Sequence, residues 1–182
     1  RGAARHAARL AGRRMSSENL IGVLSDTHNN VANLRKALEI FERRGVRRLI
    51  HCGDVTTLAT LEWLADYRVL YVYGNGDSDS GEMRDMLLRY HPENYAGLTY
   101  GGDLHGMSVA AAHGHLPGGV ETMARSGEYD YVFHGHTHHR RDERIGRSRV
   151  INPGALGGLH RQERSVCLVD LAAGQVEFVL LE

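Results

Sequence analysis

The sequence has few cysteines, no long apolar run and no excess of charge of either sign. Its two cysteines, Cys52 and Cys167, lie far apart and form no CxxC pair. This spacing argues against a disulfide-stabilised secreted protein, favours the reducing cytoplasm and predicts that both thiols are buried as small apolar groups. No apolar run approaches the roughly 20 residues of a membrane-spanning helix, so we expect no membrane association.

The formal net charge of zero is unevenly distributed along the chain. Residues 1–14 carry five arginines and no acidic residue, so the rest of the chain has a net charge of −5. Such an acidic body lacks the basic surface of a dedicated nucleic-acid-binding protein. The Arg- and Ala-rich extension at residues 1–15 resembles a transit peptide, but it has no apolar face to bury, and we expect it to be disordered. Residues 16–182 are long enough for one domain.

Apolar runs alternate with helical patterns through the first half of the chain. Leu20–Leu24 and residues 46–50 and 69–73 are predicted to be buried strands. Asn30 is predicted to cap the helix between the first two strands, and residues 57–66 to form a short helix between the next two. This order indicates a parallel βαβ sheet.

The second half of the chain has shorter strands and more turn-forming residues. Residues 98–100 and Met107–Ala112 are predicted to be strands joined by a turn at residues 101–103, and Pro117 is predicted to open a helix. Residues 129–133 are predicted to be another strand, followed by hairpins. Helices mixed with later antiparallel strands indicate an α/β (α+β) fold in which two mixed sheets pack together with helices outside.

Five short polar motifs follow predicted strands. They are Asp26-Thr27-His28, Gly53-Asp54, Gly74-Asn75-Gly76-Asp77, His113-Gly114-His115 and Gly135-His136-Thr137-His138. Because ligands of open α/β sheets bind beyond the carboxyl ends of the strands, we expect these loops to converge. Their carboxylates, amide and imidazoles suit two divalent ions held side by side. A two-metal site is typical of hydrolytic enzymes.

Each motif taken alone has a simpler interpretation. If the chain stays extended between Asp26 and His28, both side chains point the same way and can bind one ion, but a DxH segment alone is a common coincidence. Asp54 also fits the N-cap of the next helix, and Asn75 also fits a tight turn. Residues 134–139 also fit a single zinc site or an incidental metal-chelating tract. The full set favours two metals, because a single zinc site leaves the upstream Asp and Asn turns without a role.

In their order, the segments SDTHNN, HCGDV, YGNGD, HGH, FHGHTH and INPGA resemble those of the calcineurin-like metallophosphoesterases, in the small single-domain phosphodiesterase branch of bacteria and archaea. The resemblance covers residues 20–182 and implies a four-layer αββα sandwich with a dinuclear site at the sheet edges. The metal ligands it implies are Asp26, His28, Asp54 and His138 for one ion, and Asp54, Asn75, His113 and His136 for the other, with Asp54 as the bridge. It implies two divalent ions, with Mn²⁺ as the first choice and Fe, Zn²⁺ or Ni²⁺ as alternatives.

The resemblance also implies a reaction, in which a metal-bridging hydroxide attacks a phosphodiester in line with the leaving oxygen. The implied catalytic residues are Asp54, Asn75 and His115, with His115 near the substrate. Many relatives have a His directly after the turn Asn, and that His is proposed to help protonate the leaving group. Here the position is Gly76, which favours reactive leaving groups such as aryl oxides and makes His115 the candidate acid. Asp77 is expected to hold the turn.

The expected substrate is a small phosphodiester, with nucleotide-derived compounds among the candidates, and the resemblance implies a homo-oligomer as one possible assembly. Two other functions fit the same fold. One is a non-catalytic protein-binding scaffold like the small retromer subunit, and the other is a nuclease that processes nucleic acids. Competent side chains at all seven ligand positions favour an enzyme over a scaffold, and the acidic body argues against a dedicated nuclease.

Overall fold

The structure, a computed structural model, describes Met15, residues 19–159 and residues 162–182. The extension predicted at residues 1–15 therefore lies outside the described residues, except for Met15, which packs against the core. In the described part of the chain, no helix combines the length and apolar character needed to cross a membrane.

The first sheet carries three of the five motif loops. Its strands are β1 (Leu20–Leu24), β2 (Arg48–His51), β3 (Arg68–Val72), β4 (Tyr95–Gly97), β10 (Ser165–Asp170) and β11 (Gln175–Leu180), in the spatial order β11-β10-β1-β2-β3-β4. Strands β1 to β4 run parallel to one another. Strand β10 pairs antiparallel with β1, and β11 pairs antiparallel with β10. The carboxyl ends of β1, β2 and β3 therefore lie at one edge of the sheet.

The second sheet carries the two histidine motifs. Its strands are β5 (Thr99–Leu104), β6 (Met107–Ala112), β7 (Tyr131–Phe133), β8 (Arg141–Ile145) and β9 (Ser148–Asn152), in the order β5-β6-β7-β9-β8. Strands β6, β7 and β9 are parallel, whereas β5 and β8 are antiparallel edge strands. The histidine loops follow β6 and β7, so they leave the second sheet at one edge as well.

Three apolar cores separate four layers, which confirms the predicted αββα sandwich. The helices are α1 (Val31–Arg43), α2 (Leu58–Leu61, continued by a 3-10 turn at Glu62–Leu64), α3 (Ser80–Tyr90) and α4 (Gly119–Arg125). Helices α1 to α3 contribute to a core on one face of the first sheet, α4 contributes to a core on the outer face of the second, and the third core lies between the sheets. Cys52 and Cys167 are free and buried in this central core, as predicted.

Strand β1 is buried on both faces because its apolar residues serve two cores. Leu20 and Leu24 contribute to the helical core and Ile21 and Val23 to the core between the sheets. Gly22 lets α1 approach closely, because a Cβ there would lie 2.9 Å from the ring of Phe41. This close packing fixes the loop between β1 and α1 against the sheet.

Several local predictions hold, two are wrong, and one short strand was not predicted. Asn30 caps α1, its side chain accepting a 3.0 Å hydrogen bond from Asn33 N. Residues 101–103 do not turn: β5 runs through them, and the turn lies at residues 105 and 106. Helix α4 begins at Gly119 rather than at Pro117. Strand β4 was not predicted, because it is three residues long and only partly buried.

Candidate metal centre

The five motif loops converge at the shared edge of the two sheets. Asp26, Asp54 and Asn75 come from the loops after β1, β2 and β3. His113 and His136 come from the loops after β6 and β7. The convergence expected from the strand pattern is therefore present in the fold, with first-sheet oxygens facing second-sheet imidazoles.

Asp26 is a buried carboxylate with one restrained and one free oxygen. Its Oδ2 accepts hydrogen bonds from Ser25 Oγ at 2.6 Å and from the backbone N–H of His136 at 3.0 Å. Its Oδ1 has no hydrogen-bond partner among the described residues. The Nε2 atoms of His138 and His28 lie 3.2 and 3.8 Å from this oxygen. The protein thus orients Asp26 so that Oδ1 points into a cluster of imidazole nitrogens.

Asp54, like Asp26, has one carboxylate oxygen held by a hydrogen bond and one that faces imidazole nitrogens. Its Oδ1 accepts a 2.7 Å hydrogen bond from Gly76 N. Its Oδ2 lies 3.7 Å from His28 Nε2 and 3.5 Å from His113 Nε2. Burial raises the pKa of Asp54, but His113 and the Gly76 amide outweigh it and lower the pKa to about 2. Asp54 is therefore ionised, and its Oδ2 faces the imidazole nitrogens of both His28 and His113.

Asp54 does not cap the following helix, which was the simpler interpretation. Thr57 caps α2 instead, its Oγ1 accepting from Thr60 N at 3.4 Å. The Asp54 carboxylate is thus available as a metal ligand beside the clustered imidazoles.

His113 is oriented by the backbone of the first sheet. Its Nδ1–H donates to the carbonyl oxygen of Cys52 at 2.5 Å, which leaves Nε2 as a lone-pair donor. Nε2 is buried without a hydrogen-bond partner in the described part of the chain. Burial lowers the pKa of His113, but Asp54 and Asp26 outweigh it and raise the pKa overall. The site thus favours positive charge at this point.

The remaining predicted residues surround this cluster. His136 lies with its ring centroid 5.1 Å from that of His113. Asn75 is exposed and lines the same cavity as Asp54, His136 and His138. His115 lies beside both histidines, with its ring centroid 5.5 Å from that of His113 and 6.4 Å from that of His136. Burial, followed by the proximity of His113 and His136, lowers the pKa of His115.

The side chains fit divalent metal ions. The described residues include two sets of three ligand atoms, and within each set the atoms lie within 4.8 Å of one another. One set comes from Asp26, His28 and His138, and the other from Asp26, Asp54 and His113. The pKa values of both buried carboxylates are lowered, so two negative charges lie side by side with unpartnered donor atoms. A buried pair of like charges is costly unless a cation neutralises it. Oxygen and imidazole ligands together suit transition-metal ions.

His134 does not contribute to this cluster. Its Nδ1–H donates to the carbonyl oxygen of Gly135 at 3.1 Å, and its Nε2 lies 3.3 Å from Arg141 Nη1. The geometry therefore favours the shared cluster over a single zinc site built from residues 134–139.

Five of the seven predicted ligands adopt the left-handed backbone conformation. They are Asp26, His28, Asp54, His136 and His138, with φ between 45° and 67°. The chain at Asp26 and His28 is therefore not extended, and sharp turns rather than strand geometry bring the two side chains together. Positive φ is uncommon for residues other than glycine, and such strain concentrates at functional sites.

Two supporting residues were missed by the sequence reasoning. His51 is fully buried, its Nδ1 accepting from Gly53 N at 3.1 Å while its Nε2–H donates to Thr27 Oγ1 at 2.9 Å. Asn152 Nδ2 donates to the carbonyl oxygen of Gly135 at 2.8 Å. His51 thus joins the loops after β1 and β2, and Asn152 restrains the loop that carries His136. Their only signal is a polar residue at the end of a buried strand.

Comparison with known proteins yields matches over most of the chain. The family model of the calcineurin-like phosphoesterase superfamily domain matches residues 20–174. Phosphodiesterase MJ0936 of Methanocaldococcus jannaschii is 31% identical over 164 residues, which cover 89% of this chain and 99% of the relative. A solved structure described as a novel archaeal phosphodiesterase superposes with a TM-score of 0.85 at 30% identity, again covering 89% of this chain and 99% of the other.

A more distant solved structure shares the fold alone. Vps29 of Chaetomium thermophilum superposes with a TM-score of 0.68 at 15% identity, covering 91% of this chain and 96% of that one. At this identity the likeness concerns architecture and carries no information about the chemistry of the site.

Proposed function

The chain belongs to the calcineurin-like phosphoesterase superfamily, and from this premise we propose that it is a metal-dependent phosphodiesterase acting on a small phosphodiester. One observation carries the proposal: two buried carboxylates, Asp26 and Asp54, each direct one oxygen at an imidazole nitrogen from the other sheet, that of His138 and that of His113 respectively. The relative Phosphodiesterase MJ0936 supports the same activity.

The proposed ligands form two overlapping sets. Asp26, His28, Asp54 and His138 would hold one ion, and Asp54, Asn75, His113 and His136 would hold the other. Asp26 is common to the two groups of ligand atoms that lie within 4.8 Å of one another. Asp54, however, has Oδ2 within 3.7 Å of imidazole nitrogens in both proposed sets while its Oδ1 is occupied by Gly76 N, and on this ground we propose Asp54 as the shared ligand. A carboxylate that is ionised at neutral pH needs no proton loss before it binds a metal.

Two divalent ions in this position would supply Lewis acidity, which lowers the pKa of water and neutralises the charge of a phosphate. Mn²⁺ is our first choice, with Fe, Zn²⁺ and Ni²⁺ as alternatives, because a mixed set of oxygen and nitrogen ligands accepts all of them. The contribution of the chain is to keep Asp54 ionised and to keep His113 in the tautomer whose Nε2 faces the cluster.

His115 would act on the leaving oxygen. Its lowered pKa keeps the ring uncharged at neutral pH, so it would donate a neutral N–H hydrogen bond to the oxygen as charge develops there. Asn75 would bind the second metal ion through its amide oxygen. Gly76 leaves the neighbouring position without a side chain, and we therefore propose a preference for reactive leaving groups such as aryl oxides.

The cysteines bear on where in the cell the protein is located. The free thiols of Cys52 and Cys167 support a reducing location, for which we propose the cytoplasm. A homo-oligomer stays a prediction.

The decisive experiment is the Mn²⁺-dependent hydrolysis of bis(p-nitrophenyl) phosphate by the wild-type protein and by Asp54→Asn. Asparagine keeps an acceptor for Gly76 N but removes the negative charge of the carboxylate. We therefore expect turnover to disappear while the variant stays folded and still shows a cooperative melting transition. Asp66→Asn, at an exposed aspartate that is not part of the centre, is the matched control and should retain wild-type turnover. Wild-type turnover no higher than that of Asp54→Asn, with every candidate metal, would refute the proposal and favour a protein-binding scaffold.

A further inference from the structure

A cavity of about 950 Å³ adjoins the candidate metal centre. His28, Asp54, Asn75, His136 and His138 line it on the metal side. Cavities of this size accommodate whole organic ligands, whereas a phosphate group alone fills only a small part. The remaining space is therefore available to a substituent on the phosphate.

Three apolar residues also line this cavity, Val31, Ala32 and Leu159, and together they are called the apolar shelf. Val31 is half-buried, Ala32 is exposed, and Leu159 is fully exposed, at 101%. A single exposed leucine is common on protein surfaces. Leu159, however, shares its cavity with two further apolar side chains and with the metal centre, and in this setting it offers contact area to a ligand.

The shelf is attached to the metal centre by backbone interactions. Asn33 Nδ2 donates to the carbonyl oxygen of Leu156 at 2.8 Å and so joins the first turn of α1 to the loop that carries Leu159. Gly157 N donates to the carbonyl oxygen of Asp26 at 2.7 Å. Gly158 has a φ of +93°, and a Cβ there would lie 2.7 Å from Cε1 of His138. The loop therefore packs directly against the residues proposed as metal ligands, and Leu159 is the next residue along it.

The charge of the cavity indicates which kind of substituent it accepts. Within the part of the chain that the structure describes, the residues lining the cavity include no lysine or arginine. A second phosphate or a carboxylate on the substrate would find no cationic side chain among these residues. The shelf thus fits an uncharged and largely apolar group better than an anionic one.

The position of His115 suggests which ester arm lies on the shelf. His115 packs beside His113 and is not among the residues that line this cavity. If the leaving oxygen is on the His115 side, the arm that remains on the phosphate points towards the shelf. We propose that Val31, Ala32 and Leu159 bind an uncharged apolar group, such as an aryl ring, on the retained arm of the phosphodiester; this inference rests on the proposed function.

Two substrates with the same leaving group test the proposal. Bis(p-nitrophenyl) phosphate and methyl p-nitrophenyl phosphate both release p-nitrophenolate but differ in the retained arm. For Leu159→Ser we expect KM for the diaryl substrate to rise about fivefold with kcat unchanged, because the shelf contact is equal in the ground and transition states. KM for the methyl substrate should stay within about twofold of the wild-type value. Leu180→Ser, at another exposed leucine outside the cavity lining, is the matched control and should change neither.

The outcomes separate this inference from the proposed function. An unchanged diaryl KM in Leu159→Ser, or an equal rise for both substrates, would overturn the shelf while leaving the phosphodiesterase intact. Absence of wild-type turnover on both substrates would instead be a failure of the proposed function. Calorimetric binding of diphenyl phosphate and dimethyl phosphate to the Mn²⁺-loaded protein tests the shelf without turnover. Tighter binding of the diphenyl compound, lost in Leu159→Ser, is the expected result, and equal affinity for both compounds would refute it.

Discussion

The Asp77 carboxylate accepts a hydrogen bond from the backbone N–H of Asp54, with 3.0 Å between Oδ2 and N. The same oxygen accepts from Gly74 N at 2.8 Å and from the Tyr71 hydroxyl at 2.7 Å, while Oδ1 accepts from Thr56 N at 3.0 Å. One carboxylate therefore joins the loop that carries Asp54 to the turn that carries Asn75, in the supporting role predicted for Asp77 from the sequence. Because Asp77 is only 8% exposed, these bonds form away from water.

Asp77→Asn should weaken both folding and metal binding. An amide keeps one acceptor oxygen but turns an NH₂ group towards at least one backbone donor, which is Thr56 N if the oxygen replaces Oδ2. It also removes the negative charge that strengthens the remaining hydrogen bonds. We expect the free energy of unfolding to fall by about 3 kcal/mol and Mn²⁺ affinity to fall about 10- to 100-fold. Urea denaturation and calorimetric titration measure the two quantities. Asp79→Asn, at an exposed aspartate two residues later, is the control; equal values for the two variants would exclude a supporting role for Asp77.

The buried His51 should make the metal-free protein less stable as the pH falls. Burial lowers the pKa of His51 to about 4, below the value of about 6.5 in the unfolded chain. Between these two pH values the unfolded state binds more protons, so the free energy of unfolding decreases as the pH falls from 6.5 towards 4. The contribution of this one group to the slope is at most about 1.4 kcal/mol per pH unit.

Urea denaturation with a chelator present, at several pH values between 7 and 4.5, measures that slope. His51→Asn is the matched variant, because its amide oxygen can still accept from Gly53 N although it cannot titrate. It should be less stable than the wild type at pH 7, since the bond to Thr27 is lost, and should show a shallower pH dependence. An equal slope in the two proteins would mean that His51 is not the titrating group.

The convergence of the loops could be predicted from the sequence, because it depends on strand order. Asp26 and Asp54 each lie just beyond a predicted buried strand, and parallel pairing places the ends of such strands at one edge. The division of their oxygens could not be predicted. It depends on Gly76 N and His136 N, backbone groups that local sequence patterns do not locate. The left-handed conformations of Asp26 and His28 were missed for the same reason, since only contacts across the fold stabilise them.

The buried support of the site was also beyond the sequence. His51 resembles any other histidine in the chain until the fold places Thr27 and Gly53 on opposite sides of its ring. Residues 101–103 illustrate the opposite error. Two consecutive glycines are typical of a turn, yet here they lie within β5, where Cβ atoms would meet the hydroxyls of Tyr129 and Tyr100 at 2.7 and 2.6 Å.

His115→Ala should reduce activity according to the leaving group. If the His115 N–H stabilises the leaving oxygen, an alkoxide needs it more than p-nitrophenolate, which is already stable as an anion. We expect a loss of about 100-fold for diesters with alkoxide leaving groups and less than about fivefold for p-nitrophenyl diesters. Phosphorus NMR follows the slow alkyl reactions. His139→Ala, at an exposed histidine, is the control, and full activity of His115→Ala on poor leaving groups would remove His115 from the mechanism.

Gly76→His should relax the preference for reactive leaving groups. The position is exposed beside the cavity, so an imidazole there can reach a phosphate oxygen and protonate the leaving group. A Cβ at residue 76 would lie 3.1 Å from Asp54 Oδ1 and 3.2 Å from Thr56 Cγ2, which is tight, so part of any loss of activity comes from crowding. Gly76→Ala carries the same Cβ without the imidazole and therefore measures the crowding alone.

The informative quantity is the ratio of kcat/KM between aryl and alkyl leaving groups, compared between Gly76→His and Gly76→Ala. A general acid helps a poor leaving group most, and its full contribution is about 10²- to 10⁴-fold. In an unevolved site we expect the ratio to fall by about tenfold in Gly76→His relative to Gly76→Ala. Crowding lowers both rates together and leaves the ratio unchanged. An unchanged ratio in Gly76→His would therefore show that the missing side chain at residue 76 does not set the leaving-group preference, and would turn attention to the geometry around His115.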